Sequence, residues 1–260
     1  MTRQNRTMTV TILGSGTCVP SLERSSCSLL VETGRSKILL DCGPGTMRRL
    51  LEAGATVHEI THLFFSHFHP DHTGEMASFL FANRYVTEPG RKFPLVMAGG
   101  RGFVLFYGAF KKAYGTWIEL PDNMLETEEF STTGPDTKIY DDFSISTMPV
   151  SHNPESVAFR ITAGTKSIVY SGDTDESNNL VALARNADMV IYESSMPDGL
   201  KVDGHLTPSL AGKMAKMANA GELVLTHFYP PCDKVDIKQQ CRSEYGGPIR
   251  IAKDLMKIEL

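Results

Sequence analysis

The residues best suited to chemistry lie between Thr61 and His72, where the sequence reads THLFFSHFHPDH. After a short apolar run, His67, His69, Asp71 and His72 follow within one tight turn. Imidazole and carboxylate groups are ligands that suit Zn²⁺ and similar divalent ions. One residue separates His67 from His69, so both side chains point to one side of an extended segment, and the next two ligands can face a second point nearby. This turn could therefore serve two metal ions.

Ligand-type side chains also follow other apolar segments of the chain. Strand-like runs end just before Asp41, His152, Asp173 and His227, as the Leu63–Phe65 run ends before the histidine-rich turn. Loops that follow the strands of a layered α/β fold lie along one edge of its sheet, where such folds build their sites. We therefore expect these side chains to converge with the turn on one site.

The elements that must position these residues are mostly short strands with helices between them. Alternating or continuous apolar runs predict strands, and helical spacing of apolar residues predicts helices. The predicted strands are Thr9–Leu13, Ser28–Glu32, Ser36–Leu40, Leu63–Phe65, Leu95–Ala98, Trp117–Leu120, Phe143–Met148, Val157–Ile161, Ser167–Tyr170, Met189–Tyr192, Glu222–Leu225 and Met256–Leu260. The predicted helices are Thr46–Ala53, Thr73–Asn83, Gly102–Tyr114, Leu180–Ala187, a helix that Thr207 caps and Pro208 begins, and Ile237–Glu244. The remainder of 117–140 is predicted to be irregular.

Strands dominate both halves of the chain, which favours two packed sheets with helices outside. Composition alone does not separate this arrangement from other layered α/β folds. The sequence shows no internal repeat of fixed short period and no linker, so we expect residues 1–260 to form a single domain.

Composition and charge narrow the classes of function. Hydrophobic residues make up 41% of the 260 residues and the net charge is −4, without a long run of Lys or Arg. Non-specific nucleic-acid binding as the main task needs a basic face and is disfavoured, although a local basic patch remains compatible.

No apolar run is long enough to span a bilayer. Five scattered cysteines without a CxxC pair indicate a reducing compartment, and the polar segment 1–8 predicts no leader, so we expect a cytoplasmic protein.

The histidine-rich turn resembles the HxHxDH motif of the metallo-β-lactamase fold, and the other signatures of that fold follow in order from about Met8 to about Tyr229. The resemblance implies an α/β (α+β) fold, a four-layer αββα sandwich, with a two-metal site between its loops. It implies that one metal is held by His67, His69 and His152, the other by Asp71, His72 and His227. It further implies that Asp173 bridges the two metals and that Asp41 orients the ligands. An acidic bridge between two cations reduces their repulsion, and imidazole ligands need partners that fix their tautomers.

Within that superfamily the chain is similar to the ribonuclease Z branch. The N-terminal loop with Leu13–Gly16, Val19, Pro20 and Arg24 resembles that branch, and so does the pair Glu193 and His205. Two features depart from it. The branch's tRNA-reading loop motif has a Lys and an Asn where this chain has Leu22 and Ser25, and its tRNA-gripping arm is replaced by two predicted strands and a turn between the positions of His152 and Asp173. Armless relatives include phosphodiesterases of small cyclic phosphates.

The resemblance implies a dinuclear phosphodiesterase acting on small or cyclic phosphodiesters. Two divalent ions, Zn²⁺ or alternatively Mn²⁺ or Fe²⁺, would hold a hydroxide that attacks phosphorus, and His205 would protonate the leaving oxygen. The implied catalytic residues are Asp71, His205 and Glu193. The implied partners are a small-molecule substrate and a second copy in a homodimer, with nucleic acid possible and no membrane.

Several alternatives stay open from the sequence. The same site could hydrolyse a thioester, lactone or sulfate ester, or cut RNA at its 3′ end. An iron oxidoreductase is less compatible, because diiron members of the fold place a carboxylate where His69 stands and carry a flavodoxin domain. His205 could be an ordinary helix-start residue and Asp41 a turn former. Cys42 and Cys232 lie near the site in sequence without an assigned role. The Phe228–Pro231 segment could form a wall of the substrate pocket or could simply shape a loop. His58 and His62 are expected to be structural or on the surface.

Overall fold

Two seven-stranded β-sheets pack face to face in the computed structural model, which describes residues 8–85 and 90–260. All but Met8 of the polar N-terminal segment, on which the prediction of no leader rests, lies outside the described residues. The strands are β1 (Thr9–Gly14), β2 (Ser28–Glu32), β3 (Lys37–Leu40), β4 (His62–Phe65), β5 (Leu95–Gly100), β6 (Leu125–Phe130), β7 (Asp136–Ile139), β8 (Ser144–Pro149), β9 (Val157–Ala163), β10 (Lys166–Tyr170), β11 (Met189–Glu193), β12 (Glu222–Thr226), β13 (Ile249–Ile251) and β14 (Met256–Glu259).

Each sheet is antiparallel on one side and parallel on the other. The first sheet has the order β14-β1-β2-β3-β4-β5-β6, and its strands from β3 to β6 are parallel. The second has the order β13-β12-β11-β10-β9-β8-β7, and its strands from β10 to β13 are parallel. The carboxyl ends of parallel strands meet at one sheet edge, and this is the edge that carries the candidate site.

Helices cover the outer faces of both sheets and complete the four layers. The helices are α1 (Thr46–Glu52), α2 (Pro70–Thr73), α3 (Met76–Arg84), α4 (Phe103–Tyr114), α5 (Asn178–Leu183), α6 (Pro208–Met217) and α7 (Ile237–Arg242). One apolar core joins the inner faces of the sheets to α5, α6 and α7, and a second packs the outer face of the first sheet against α1, α3 and α4. The predicted αββα sandwich is thereby confirmed.

Burial explains why most elements could be predicted and a few could not. The buried strands and the helix that begins at Pro208 under a Thr207 cap are as expected. The strand predicted at Trp117–Leu120 is wrong, because Gly115–Ile118 forms a 3-10 helix after α4. The segment predicted to be irregular contains β6 and β7, whose side chains are mostly half-exposed because both are edge strands.

Among the described residues, no helix combines the length and the apolar character needed to cross a bilayer. Between the positions of His152 and Asp173, the chain forms only β9, a turn and β10. The gap where the ribonuclease Z branch carries its arm therefore holds a plain hairpin, as the sequence predicted.

Candidate metal centre

One group of candidate ligands comes from the histidine-rich turn and from two loops of the second sheet. His67, His69, His152 and Asp173 each place one ligand atom within 4.8 Å of the others. Nε2 of His67 lies 3.6 Å from Oδ2 of Asp173, and Nε2 of His152 lies 3.3 Å from Nδ1 of His69. The structure thus brings together four side chains that are far apart in the sequence.

A second group lies beside the first. Asp71, His72 and His227 also place ligand atoms within 4.8 Å of one another. The local backbone explains their direction: His69 is still extended, and Pro70 begins the single-turn helix α2, which turns Asp71 and His72 away from the first group. Two groups facing two points were expected from this turn.

The distances between ligand atoms in the second group suit an ion with tetrahedral coordination. Nε2 of His72 and Nε2 of His227 are 3.4 Å apart, and each lies 3.3 Å from Oδ1 of Asp173. Ligands at 2.0–2.1 Å from Zn²⁺ in a tetrahedron are about 3.3 Å from each other. Asp173 turns its other oxygen toward His67 of the first group, so this one carboxylate faces both groups.

The five imidazoles of the two groups share one arrangement. In each ring one nitrogen faces the ligand cluster, and the other has a polar partner outside it. A partner on the outer nitrogen fixes the tautomer and orients the ring of a metal ligand. The partners are Ser66 Oγ at 3.1 Å for His67, Asp41 Oδ2 at 2.7 Å for His72, the Gly204 carbonyl at 2.9 Å for His152 and Ser195 Oγ at 3.0 Å for His227. The outer Nε2 of His69 differs, because it accepts from the amide nitrogen Nδ2 of Asn153 at 3.0 Å.

Two buried atoms at the centre lack hydrogen bonds. Nε2 of His67 and Oδ1 of Asp173 have no hydrogen-bond partner within residues 8–85 and 90–260. A buried polar atom without a partner is costly, and an ion is one of the few ways to satisfy it. The donor set, its spacing and these atoms together fit a pair of divalent cations.

Burial and neighbouring charges set the protonation of the cluster. Burial and the charge of His72 hold the pKa of His67 well below its ordinary value, so this ring is a neutral imidazole. Burial works to raise the pKa of Asp173, but His227 and His72 outweigh it and hold that pKa well below its ordinary range. Burial disfavours a charged His72, yet Asp173 and Asp41 raise its pKa well above the ordinary value. An ion bound here would replace that proton.

Asp41 lies behind the cluster and does not face it. Its carboxylate accepts hydrogen bonds from the backbone and hydroxyl of Ser66, from Tyr170 and from Nδ1 of His72. Asp41 has a φ of +61° and His227 a φ of +60°, a region that non-glycine residues seldom adopt. Such backbone persists where surrounding contacts hold it, and it clusters at functional sites. Asp41 contacts the outer nitrogen of His72, and the orienting role that the resemblance implied for it stays a prediction.

His205 and Glu193 form a pair at the rim of the cluster. Nδ1 of His205 donates to Oε1 of Glu193 over 2.9 Å, and the carboxylate is buried. Burial lowers the pKa of His205, but the hydrogen bond and charge of Glu193 outweigh it and raise that pKa above the ordinary value. A ring nitrogen of His205 also lies within 4.8 Å of ligand atoms of Asp173 and His227. Because Nδ1 donates to Glu193, the orientation of the ring is fixed at the rim of the cluster.

Other residues that the sequence singled out pack within the fold. His62 is buried between aromatic rings, and Cys42 is a buried thiol whose pKa burial raises. Phe228 is buried under the guanidinium of Arg24, so it shapes its loop. Cys232 donates its thiol hydrogen to the carbonyl of Ser195.

Sequence reasoning missed Ser66, Asn153 and Ser195, which hold the outer nitrogens of three histidines. Ser66 and Asn153 each adjoin a predicted ligand in the sequence, and Ser195 follows Glu193 by two positions. This adjacency is the only signal that could have found them.

The chain is similar to known proteins over most of its length. A family model described as "Anti-Pycsar protein Apyc1" matches residues 8–207. A curated relative, ribonuclease Z from Mycobacterium sp. (strain KMS), is 28% identical over 273 aligned residues, covering 96% of this chain and 95% of the relative.

Solved structures share the whole fold. The metallo-β-lactamase fold protein YhfI from Bacillus subtilis superposes with a TM-score of 0.84 at 22% identity, covering 98% of this chain and 100% of that one. The short form of human tRNase Z superposes with a TM-score of 0.79 at 24% identity, covering 96% of this chain and 98% of that one. The likeness to a metallo-β-lactamase fold of the ribonuclease Z type, expected from the motifs, is confirmed.

Proposed function

The chain belongs to the family described as anti-Pycsar protein Apyc1, and from that premise we propose that it is a metal-dependent phosphodiesterase of small or cyclic phosphodiesters. A metal-dependent hydrolase is the broader class to which the fold and the His/Asp clusters point. The proposed cofactors are two Zn²⁺ ions, with Mn²⁺ or Fe²⁺ as alternatives that suit the same ligands.

The observation that carries the proposal is the His205–Glu193 pair beside the two ligand groups. A phosphodiester with an alkoxide leaving group needs a proton donor, whereas an activated ester hardly does. Nδ1 of His205 is bound to a buried carboxylate, so Nε2 is the nitrogen free to deliver a proton. Glu193 also raises the pKa of His205, so the donor stays protonated closer to neutral pH than an ordinary histidine.

The side chains divide the work of the reaction. Bound in the two groups, divalent ions would supply an activated water and stabilise charge on the phosphoryl oxygens. Asp173 would hold the two positions at a fixed separation, because its oxygens face different groups. His205 would give its Nε2 proton to the departing oxygen, and Glu193, by accepting from Nδ1, would stabilise the doubly protonated ring that carries this proton.

Cleavage of RNA at its 3′ end is the second candidate, because the curated relative named ribonuclease Z spans 96% of this chain. Two observations weigh toward the smaller substrate. The hairpin of β9 and β10 stands where that branch carries its arm, and Leu22, in the loop of its tRNA-reading motif, is fully exposed with no charge to contact a phosphate.

The test couples metal content to turnover. The chain is expected to contain two metal ions by mass spectrometry and to hydrolyse bis(p-nitrophenyl) phosphate and a 2′,3′-cyclic nucleotide. His205→Ala should lower kcat about 100-fold or more on the cyclic nucleotide and far less on the nitrophenyl ester, because nitrophenolate departs without a proton. His58→Ala, a change away from the cluster, is the matched control.

Three outcomes would contradict the proposal. Fewer than one metal per chain after growth with Zn²⁺ or Mn²⁺ would remove the dinuclear mechanism. Two metals without activity on either ester would favour a hydrolase of thioesters or lactones instead. Cleavage of a tRNA precursor alone would favour the second candidate.

A further inference from the structure

Ser195 is a buried residue that touches both the proton donor and a candidate metal ligand. Its hydroxyl lies 2.8 Å from Oε2 of Glu193, 3.0 Å from Nδ1 of His227 and 3.0 Å from Nδ1 of His205. No motif in the sequence assigns a role to it. Three polar neighbours around a single hydroxyl restrict where the hydrogens can be.

The 2.8 Å distance from the hydroxyl to Oε2 of Glu193 favours one placement of the hydrogens. A serine hydroxyl has one hydrogen to donate and two lone pairs to accept. Both oxygens of Glu193 accept from backbone N–H groups, those of Thr174 and Ser195, so they act as acceptors and the hydroxyl hydrogen points to Oε2. Toward His227 the hydroxyl must therefore accept, which requires a hydrogen on Nδ1 of that ring. Nε2 of His227 is then left unprotonated, facing Asp173 and Asp71.

The opposite tautomer of His227 would prevent this ring from binding a metal ion. With the hydrogen on Nε2, that N–H would point at the position between Asp71, Asp173 and His72 where the second group converges. Neutral imidazole binds a metal only through an unprotonated nitrogen. The tautomer that Ser195 selects is therefore the one that a second ion requires.

The same arrangement recurs in the first sheet, at the other ligand group. Ser66 donates its hydroxyl hydrogen to Oδ2 of Asp41 and accepts from Nδ1 of His67. In both places a buried carboxylate takes the hydrogen of a serine, and the serine in turn holds a histidine with Nε2 inward. Each ligand group thus contains one histidine whose outer nitrogen donates to a serine hydroxyl. The serine accepts because its own hydrogen is donated to a carboxylate, and this fixes the tautomer of the histidine.

We propose that Ser195 is a positioning residue that, by accepting from Nδ1 of His227, fixes the tautomer that binds the second ion and links that ion to the His205–Glu193 pair. The inference deepens the proposed function, on which it rests for the presence of two ions. The backbone of Ser195 is held independently, because its N–H donates to Glu193 and its carbonyl accepts from the backbone of Tyr229. Removal of the hydroxyl alone should therefore leave the loop in place.

Ser194 provides a matched control one position away. It is equally buried, and within the described part of the chain its hydroxyl has no hydrogen-bond partner. Ser195→Ala and Ser194→Ala each remove one buried hydroxyl from the same loop, and only the first removes a partner of a histidine. Ser195→Thr keeps the hydroxyl.

The experiment is a Zn²⁺ titration of each metal-free variant against a chromophoric chelator, with the thermal midpoint of the metal-free protein as a check of folding. Ser195→Ala should weaken one of the two ions about 10- to 100-fold, as loss of a partner on the outer nitrogen of a ligand typically does. Ser195→Thr and Ser194→Ala should bind both ions as the parent does.

Wild-type affinity for both ions in Ser195→Ala would overturn the proposal, and so would an equal loss in Ser194→Ala, which would trace the effect to packing. The readout needs no substrate. If the parent hydrolyses no phosphodiester while Ser195→Ala alone loses one ion, the proposed function fails and this inference stands. If the parent is active and Ser195→Ala binds both ions normally, the inference fails and the function stands.

Discussion

At the scale of single residues, the candidate centre depends on hydrogen bonds that lie one contact behind the ligands. Ligand types could be predicted because histidine and aspartate at strand ends are chemically conspicuous. Ser66 and Ser195 could not, because a serine near a strand end is ordinary and its role appears only when its three-dimensional partners are known. The positive φ of Asp41 and His227 was hidden for the same reason.

The parallel between the two serines leads to a prediction for Ser66. Ser66→Ala removes the acceptor from Nδ1 of His67, while the backbone N–H of residue 66 still donates to Asp41. We expect the affinity for one Zn²⁺ ion to fall about 10- to 100-fold. Cadmium NMR of the loaded protein should show that the weakened ion is the one near His67, and in Ser195→Ala the other.

Ser194→Ala again serves as the control for the loss of a buried hydroxyl. Loss of the same ion in Ser66→Ala and Ser195→Ala would contradict the assignment of one serine to each ligand group. Unchanged affinity in Ser66→Ala would show that Nδ1 of His67 needs no partner.

At the scale of elements, the ends of the apolar strands were the sequence feature that best predicted where the candidate site lies. The buried parallel strands could be predicted from their apolar runs, and a polar ligand directly after each run located the edge of the sheet. The edge strands β6 and β7 could not, because β6 reads LETEEF and its three glutamates lie half or fully exposed on a charged edge. Such a sequence is typical of a loop until a neighbouring strand pairs with it.

Asp175 connects the elements around His205. Its Oδ2 accepts from Nζ of Lys201 at 2.7 Å and from the backbone of Gly204 at 3.0 Å, and its own N–H donates to the carbonyl of Ser151. The carbonyl of Gly204 in turn accepts from Nδ1 of His152. The loop that carries His205 is therefore attached to a candidate ligand through Gly204, whose φ is +81°.

Asp175→Ala should release this loop. A hydrogen bond to a charged group contributes about 1.5–3 kcal/mol, so we expect kcat on a 2′,3′-cyclic nucleotide to fall at least about tenfold with a smaller change in KM. Hydrogen exchange of the Gly204 amide should accelerate. Lys201→Met, which removes the ion pair and keeps the Gly204 contact, should have the smaller effect. Unchanged exchange at Gly204 in Asp175→Ala would show that other contacts hold the loop.

At the scale of the whole molecule, the two sheets share the candidate centre. The first sheet and its loops supply Asp41 and the histidine-rich turn, and the second supplies His152, Asp173, Glu193 and His227. An ion bound between them would bind the folded chain and not the unfolded one, so it would stabilise the sandwich by mass action. The sheet arrangement itself came from the resemblance, since composition was compatible with several layered folds.

A second junction of the sheets lies at the opposite end of β4 and is independent of metal. His62 packs against the rings of Tyr140 and Phe143, at centroid distances of 4.4 Å and 4.9 Å, and its Nδ1 lies 2.8 Å from the hydroxyl of Thr61. Burial lowers the pKa of His62 from 6.5 to about 4, against the smaller opposing effects of Asp142 and Glu128. The folded protein therefore holds this imidazole neutral.

His62 should make the free energy of unfolding depend on pH. Between pH 6.5 and about 4, the unfolded chain binds a proton at this position and the folded chain does not. Stability from this residue is then fully present above pH 6.5 and is lost as the pH falls toward 4, by about 3 kcal/mol in total. His62→Phe, which cannot titrate and suits an aromatic site, should reduce this dependence. Urea denaturation of both proteins across this window measures it, because the difference between them cancels the titration of the shared carboxylates and of the shared histidine cluster with any ion it binds. An equal pH dependence in parent and variant would show that His62 is protonated in the fold.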